Sequence, residues 1–137
     1  MRVFIDTSSL FKRYVEESGS GDFQRLMNQA SEVVVSPLTW IEMNAAIERR
    51  LRERSLSAEQ AKYLRIEAKK DFAYFLKVVW NENLEHKAVE LINQYVLKTL
   101  DAVQLASGIL SKSQVFVTSD EKLFLIAKKI IHHARII

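Results

Sequence analysis

The stretch Arg2-Val3-Phe4-Ile5-Asp6-Thr7-Ser8-Ser9 decides how this sequence is read. Val3-Phe4-Ile5 is a continuous apolar run that stops abruptly on an acid and three hydroxyl residues. A continuous run, rather than an alternating one, predicts a strand covered on both faces. Asp, Thr and Ser then offer oxygens to the orphan amides of a helix start. Leu10, Phe11, Tyr14 and Val15 follow at helical spacing. The reading is a buried strand running straight into a helix.

The same grammar recurs outward from this point. Glu17 to Gly21 is a turn cluster before a short helix carrying Phe23, Leu26 and Met27, and Val33-Val34-Val35 is a second buried strand. Pro37, the single proline, stands where a helix is expected to begin, since its missing N–H is no loss there. That helix is predicted to run through Leu38, Ile41, Ala45 and Leu51. Ser57-Ala58-Glu59-Gln60 forms a capping-box pattern and opens a long helix with Ala61, Leu64, Ala68, Phe72, Leu76 and Val79 on one face. A turn or short strand is expected near Val78-Val79-Trp80, then a helix with Ala88, Leu91, Ile92 and Tyr95. Asp101 is expected to open an apolar helix. Val115-Phe116-Val117 is a strand leading into Thr118-Ser119-Asp120, followed by a helix with Leu123, Leu125, Ile126 and Ile130. Ala134 to Ile137 is a last edge strand. Short apolar strands separated by helices predict an α/β fold: a mostly parallel sheet of four to five strands with helices on both faces. No repeat or linker breaks residues 1–137, so one domain is expected.

Composition agrees. Of 137 residues, 48% are hydrophobic and 27% charged, with three glycines, which suits an ordered helical chain and excludes a disordered tail. Absence of cysteine excludes disulfides and thiolate metal sites. Asp6 interrupts the opening run where a signal peptide needs a long apolar stretch, and no segment reaches a membrane span, so a cytoplasmic location without membrane contact is the expectation. The net charge of +3 is compatible with a polyanionic partner but is equally an ordinary soluble surface.

Four acids bear on chemistry. Asp6 and Asp120 each follow a strand, and sites in open parallel sheets form at the carboxyl ends of strands. Each also has an ordinary explanation as a helix N-cap. Asp101 lies among Leu100, Ala102 and Val103, where capping and the helix dipole again suffice. Glu42 is harder to dismiss: helical geometry turns it toward the face of Leu38, Ala45 and Ala46, and a buried Glu needs a partner. Arg49 is one candidate partner. Were the four to converge, neighbours ~5 Å apart would repel by about 3 kcal/mol at an effective dielectric of 20. Protonation, basic partners or a bound cation must relieve this. All-oxygen ligands suit a hard divalent cation, whereas His86, His132 and His133 lie far from the acids in sequence and do not suggest zinc. Such a cation would serve phosphodiester hydrolysis.

In their order and spacing, Phe4-Ile5-Asp6-Thr7-Ser8-Ser9-Leu10, the inward Glu42, Leu100-Asp101-Ala102-Val103-Gln104-Leu105-Ala106 and Val117-Thr118-Ser119-Asp120 resemble the PIN-domain nucleases. The likeness spans nearly the whole chain and is nearest to VapC-type toxins of toxin–antitoxin pairs. It implies a PIN-like fold and a metal-dependent endoribonuclease. Asp6, Glu42, Asp101 and Asp120 would hold Mg²⁺ or Mn²⁺ and form the catalytic set, with Ser8 and Thr118 as orienting hydroxyls. It further implies an RNA substrate, an antitoxin partner that covers the site, and a homodimer. Gln104 departs from the His that many relatives carry there.

Arg49-Arg50-Leu51-Arg52 and Lys62, Arg65, Lys69 and Lys70 put positive charge on two consecutive helices, where RNA or an antitoxin could contact Arg49. A solvated face laced with Glu–Lys pairs explains most of it. Rival readings are a non-catalytic PIN-like RNA-binding or adaptor module and a metal-dependent phosphatase. A phosphatase of the haloacid dehalogenase type would want a second Asp where Ser8 stands. A phospho-receiver domain needs a regular strand–helix alternation that the helical stretch from Pro37 to Leu110 lacks.

Overall fold

The computed structural model describes residues 1–137 and contains five strands: β1 (Arg2–Ile5), β2 (Glu32–Val35), β3 (Leu76–Lys77), β4 (Val115–Thr118) and β5 (Ala134–Ile136). They form one sheet in the order β3-β2-β1-β4-β5, and every neighbouring pair is parallel. Val3 pairs with Val33 on one side and Val115 on the other, so β1 lies at the centre.

Period-two alternation along β1 and β4 divides the core. Val3, Ile5, Val115 and Val117 point to one face, packing with Leu10, Phe23, Met43, Ile47 and Leu64. These come from α1 (Thr7–Leu10), α2 (Ser20–Gln29), α3 (Thr39–Arg52) and α4 (Ala58–Phe72). Phe4, Val34 and Phe116 point to the other face, against Leu84, Leu91, Leu105 and Leu123. Their helices are α5 (Glu82–Gln94), α6 (Thr99–Leu110) and α7 (Glu121–Ile130). Phe4 and Phe116 stack with centroids 5.3 Å apart. Beside them Gly108 of α6 leaves no room for a side chain, since a Cβ there would meet Phe116 at 2.5 Å.

The predicted α/β sheet with helices on both faces is therefore present, and the capping box at Ser57 and Gln60 forms as read. Local differences have physical reasons. α3 starts at Thr39 rather than Pro37, because Ser36, Pro37 and Leu38 form a turn. There the Leu38 N–H donates to Ser36 Oγ and the Ser36 N–H to Thr39 Oγ1. The buried face of α3 is Thr39, Met43 and Ile47, leaving Ile41 65% exposed and Ala45 exposed. α4 stops at Phe72, and the strand after it pairs through Leu76 and Lys77 rather than Val78 to Trp80. Both its side chains are exposed, so backbone bonding to the edge of β2 sets its place, including Val78 N–H to the Val35 carbonyl. α6 begins at Thr99, with Asp101 in its first turn rather than at the cap.

Candidate active site

The Asp6 N–H donates to the Val117 carbonyl at 2.9 Å, fixing the end of β1 against β4. Asp6 is the N-cap residue of α1, yet its carboxylate makes no capping bond. Instead the Ser8 hydroxyl donates to Asp6 Oδ2 at 2.6 Å and the Thr118 hydroxyl to the same oxygen at 2.8 Å. Thr118 Oγ1 also accepts from the Asp120 N–H, and Ser8 Oγ accepts from the Ser119 N–H. The two strand ends are thus knitted by hydroxyls. Asp120 does cap α7, its Oδ1 accepting from the Leu123 N–H at 3.0 Å. The capping explanation holds for Asp120 and fails for Asp6.

Glu42 enters from the first turn of α3. Its Oε1 accepts from the Thr7 hydroxyl at 3.1 Å and from Gln104 Nε2 at 2.5 Å. Arg49 is not its partner. Asp101, from α6, completes a cleft of about 330 Å³ lined by all four acids, together with Ser8, Arg49 and Arg50. Arg50 is engaged: its guanidinium lies 4.2 Å over the Phe11 ring and 3.4 Å from Glu17. Arg49 is exposed at the rim and takes part in no ion pair.

The electrostatics follow from this crowding. Burial pushes the Asp6 carboxyl up to about 6; the bonds from Ser8 and Thr118 resist, while the charges of Glu42 and Asp101 push further. Burial likewise raises Glu42 against the bonds from Gln104 and Thr7, with Asp101 adding repulsion. Asp101 is raised by burial and then by Asp120, with Lys98 opposing. None of the four joins an ion pair. As the side chains stand, no three acids or histidines come close enough to hold one ion together. The donor chemistry nevertheless fits a hard cation: carboxylates lining one cleft, partly dehydrated, mutually repelling and not ion-paired.

Two residues of this network carried no sequence-based role. Thr7 reads as a helix-start residue. Gln104 had a signal, being the one polar side chain inside Ala102-Val103-Gln104-Leu105-Ala106, one turn beyond Asp101. The basic helices are largely a solvated face, with Arg65 paired to Glu48 and Lys70 to Glu67. Phe72 packs on Trp40 and Phe75, while Tyr74 is exposed.

Similar structures include a toxin–antitoxin complex from Klebsiella pneumoniae, with a TM-score of 0.63 and 20% identity over 89% of each chain. VapBC2 from Rickettsia felis, bound to a promoter DNA fragment, has a TM-score of 0.72 at 10% identity, covering 100% of this chain and 99% of that one. VapC20 from Mycobacterium tuberculosis, described as a sarcin-ricin loop cleaving toxin, has a TM-score of 0.66 at 18% identity, covering 88% and 92%. At such identities the likeness is one of fold. No curated protein matches the sequence. The family model of the PIN domain matches residues 3–129, nearly the whole sheet and all four acids, and on that match the chain belongs to the PIN-domain family.

Proposed function

We propose that this protein is a metal-dependent endoribonuclease and the toxin of a toxin–antitoxin pair. One observation carries the reading: four carboxylates from four separate segments line one cleft at the strand ends, none of them in an ion pair. Burying carboxylates together without compensation is unfavourable, and a divalent cation is the compensation that also has a chemical use. Asp6, Glu42, Asp101 and Asp120 would hold Mg²⁺ or Mn²⁺. When bound, such a cation acidifies water and neutralises charge developing on a phosphoryl group.

The remaining roles belong to the chain. Ser8 and Thr118 occupy Asp6 Oδ2, orient that carboxylate and favour its ionised form against burial. Thr7 and Gln104 do the same at Glu42 Oε1. Arg49, which lines the cleft, would meet a phosphate flanking the one that is cut, or an acidic side chain of an antitoxin. RNA as substrate draws support from the sarcin-ricin loop cleaving toxin of similar fold, and an antitoxin as partner from the toxin–antitoxin complex. A homodimer draws support from the apolar Val89, Ile92, Val96 and Leu100, left exposed on and after α5.

The test incubates purified protein with structured ribosomal and transfer RNA in Mg²⁺ or in EDTA. Cleavage should require the cation. Asp101→Asn should lower the rate by at least ~10²-fold, the scale of lost electrostatic stabilisation at a reacting centre, while its melting temperature in EDTA matches wild type. Cleavage that survives both the chelator and this substitution overturns the proposal.

A further inference from the structure

Gln104 is 1% exposed in the middle of an apolar helix, yet its amide is used on one side only. Nε2 lies 2.5 Å from Glu42 Oε1, 3.0 Å from Thr7 Oγ1 and 3.4 Å from Thr39 Oγ1. Oε1 is buried with no partner at all. An apolar side chain of the same length would leave no such orphan, so packing alone is better served by Met or Leu. What a hydrocarbon cannot supply is the donor. Thr7 closes a triangle, since its hydroxyl accepts from Gln104 and donates to Glu42. Both donors converge on Oε1, and Glu42 Oε2 receives no hydrogen bond from the protein.

We propose that Gln104 is a positioning residue of the cation site, anchoring Glu42 through Oε1 so that Oε2 remains the oxygen available to the cation. The inference rests on the metal-dependent reading given above. Gln104 is buried behind Glu42 and acts through it. Asp101 lies one turn earlier on the same helix, so α6 supplies one acid directly and sets a second through its amide. Outer partners of this kind govern affinity for the ion as much as they govern turnover.

The experiment measures Mn²⁺ binding by calorimetry on the full chain without RNA, beside the melting temperature of each variant in EDTA. Gln104→Met keeps the volume and removes the donor; it should bind Mn²⁺ about 10–100-fold more weakly while melting at or above the wild-type temperature. Gln104→His restores an N–H and should recover affinity to within about threefold of wild type. Thr7→Val removes the second donor to the same oxygen and should weaken binding in the same direction. Wild-type affinity in Gln104→Met overturns the inference, as does a Gln104→His variant that folds but binds no better than Gln104→Met. If Gln104→Met does not fold, Thr7→Val decides, and unchanged Mn²⁺ affinity there overturns the anchoring of Glu42. A folded wild-type protein that binds no Mn²⁺ overturns the metal-dependent reading itself, a result distinct from binding that ignores Gln104.

Discussion

Asp6 and Asp71 are both carboxylates, and the fold treats them oppositely. Burial, with the charges of Glu42 and Asp101, lifts Asp6 to about 6 despite the hydroxyls of Ser8 and Thr118. A folded value above the unfolded one means that stability is fully present below the ordinary carboxylate range and is lost as pH rises through about 6. The cation-free protein should therefore gain about 1.4 kcal/mol of stability from this residue between pH 8 and pH 5, and more on further acidification through the ordinary carboxylate range. Urea unfolding in EDTA across that range checks it, and Asp6→Asn should flatten the profile. Burial also acts to raise Asp71, but the hydrogen bonds and charge of Arg13, with the Tyr14 hydroxyl, outweigh it and hold Asp71 below its usual range. Its contribution is present at neutral pH and is lost as acid protonates it. Asp71→Ala should destabilise by about 1–3 kcal/mol at pH 7, because it strips a partner from two half-buried donors, and this deficit should shrink toward pH 3.

At the level of elements, α6 is held against the sheet by the smallness of Gly108. Alanine is normally worth about 1 kcal/mol over glycine inside a helix. Here its Cβ would meet Phe116 at 2.5 and 2.7 Å and Phe4 at 3.3 Å. Overpacking of this kind costs about 1–3 kcal/mol, so Gly108→Ala should be net destabilising in equilibrium unfolding. The added Phe116→Leu change should return part of that loss. Elements buried on both faces were legible in the sequence: β1, β2 and β4 are unbroken apolar runs that nothing else explains. β3 was not, because its two residues are exposed and its pairing is a matter of backbone groups. α3 is present where a helix was expected but begins two residues later and is out of phase. Ile41 and Ala45 match the expected apolar period, yet Met43 and Ile47 fill the core. Glu42 was singled out on that imperfect phase, and what makes it unusual lies elsewhere, on Thr7 and Gln104 from other segments. Asp6 and Asp120 were legible because apolar runs end on them or just before them. Gln104 was not given a role because its partners lie 62 and 97 residues away in the chain.

Across the whole molecule, the proposed cation couples chemistry to stability. A ligand that binds only the folded state at a hundred times its dissociation constant adds about 2.7 kcal/mol. Saturating Mn²⁺ should therefore raise the melting temperature of wild type and leave Asp101→Asn nearly unmoved. The exposed apolar residues of α5 carry a second expectation at this scale. If the proposed homodimer forms through them, Ile92→Glu should shift sedimentation from dimer toward monomer without lowering secondary-structure content. The strand order holds a further consequence. β1, which ends just before Asp6, has β4 as one of its two neighbours, and β4 follows it by more than a hundred residues. During synthesis the first acid emerges early, while Asp101, β4 and Asp120 are still to be made. On the proposed reading, no partial chain can assemble the four-acid cleft until Asp120 has been made and β4 has slotted in beside β1.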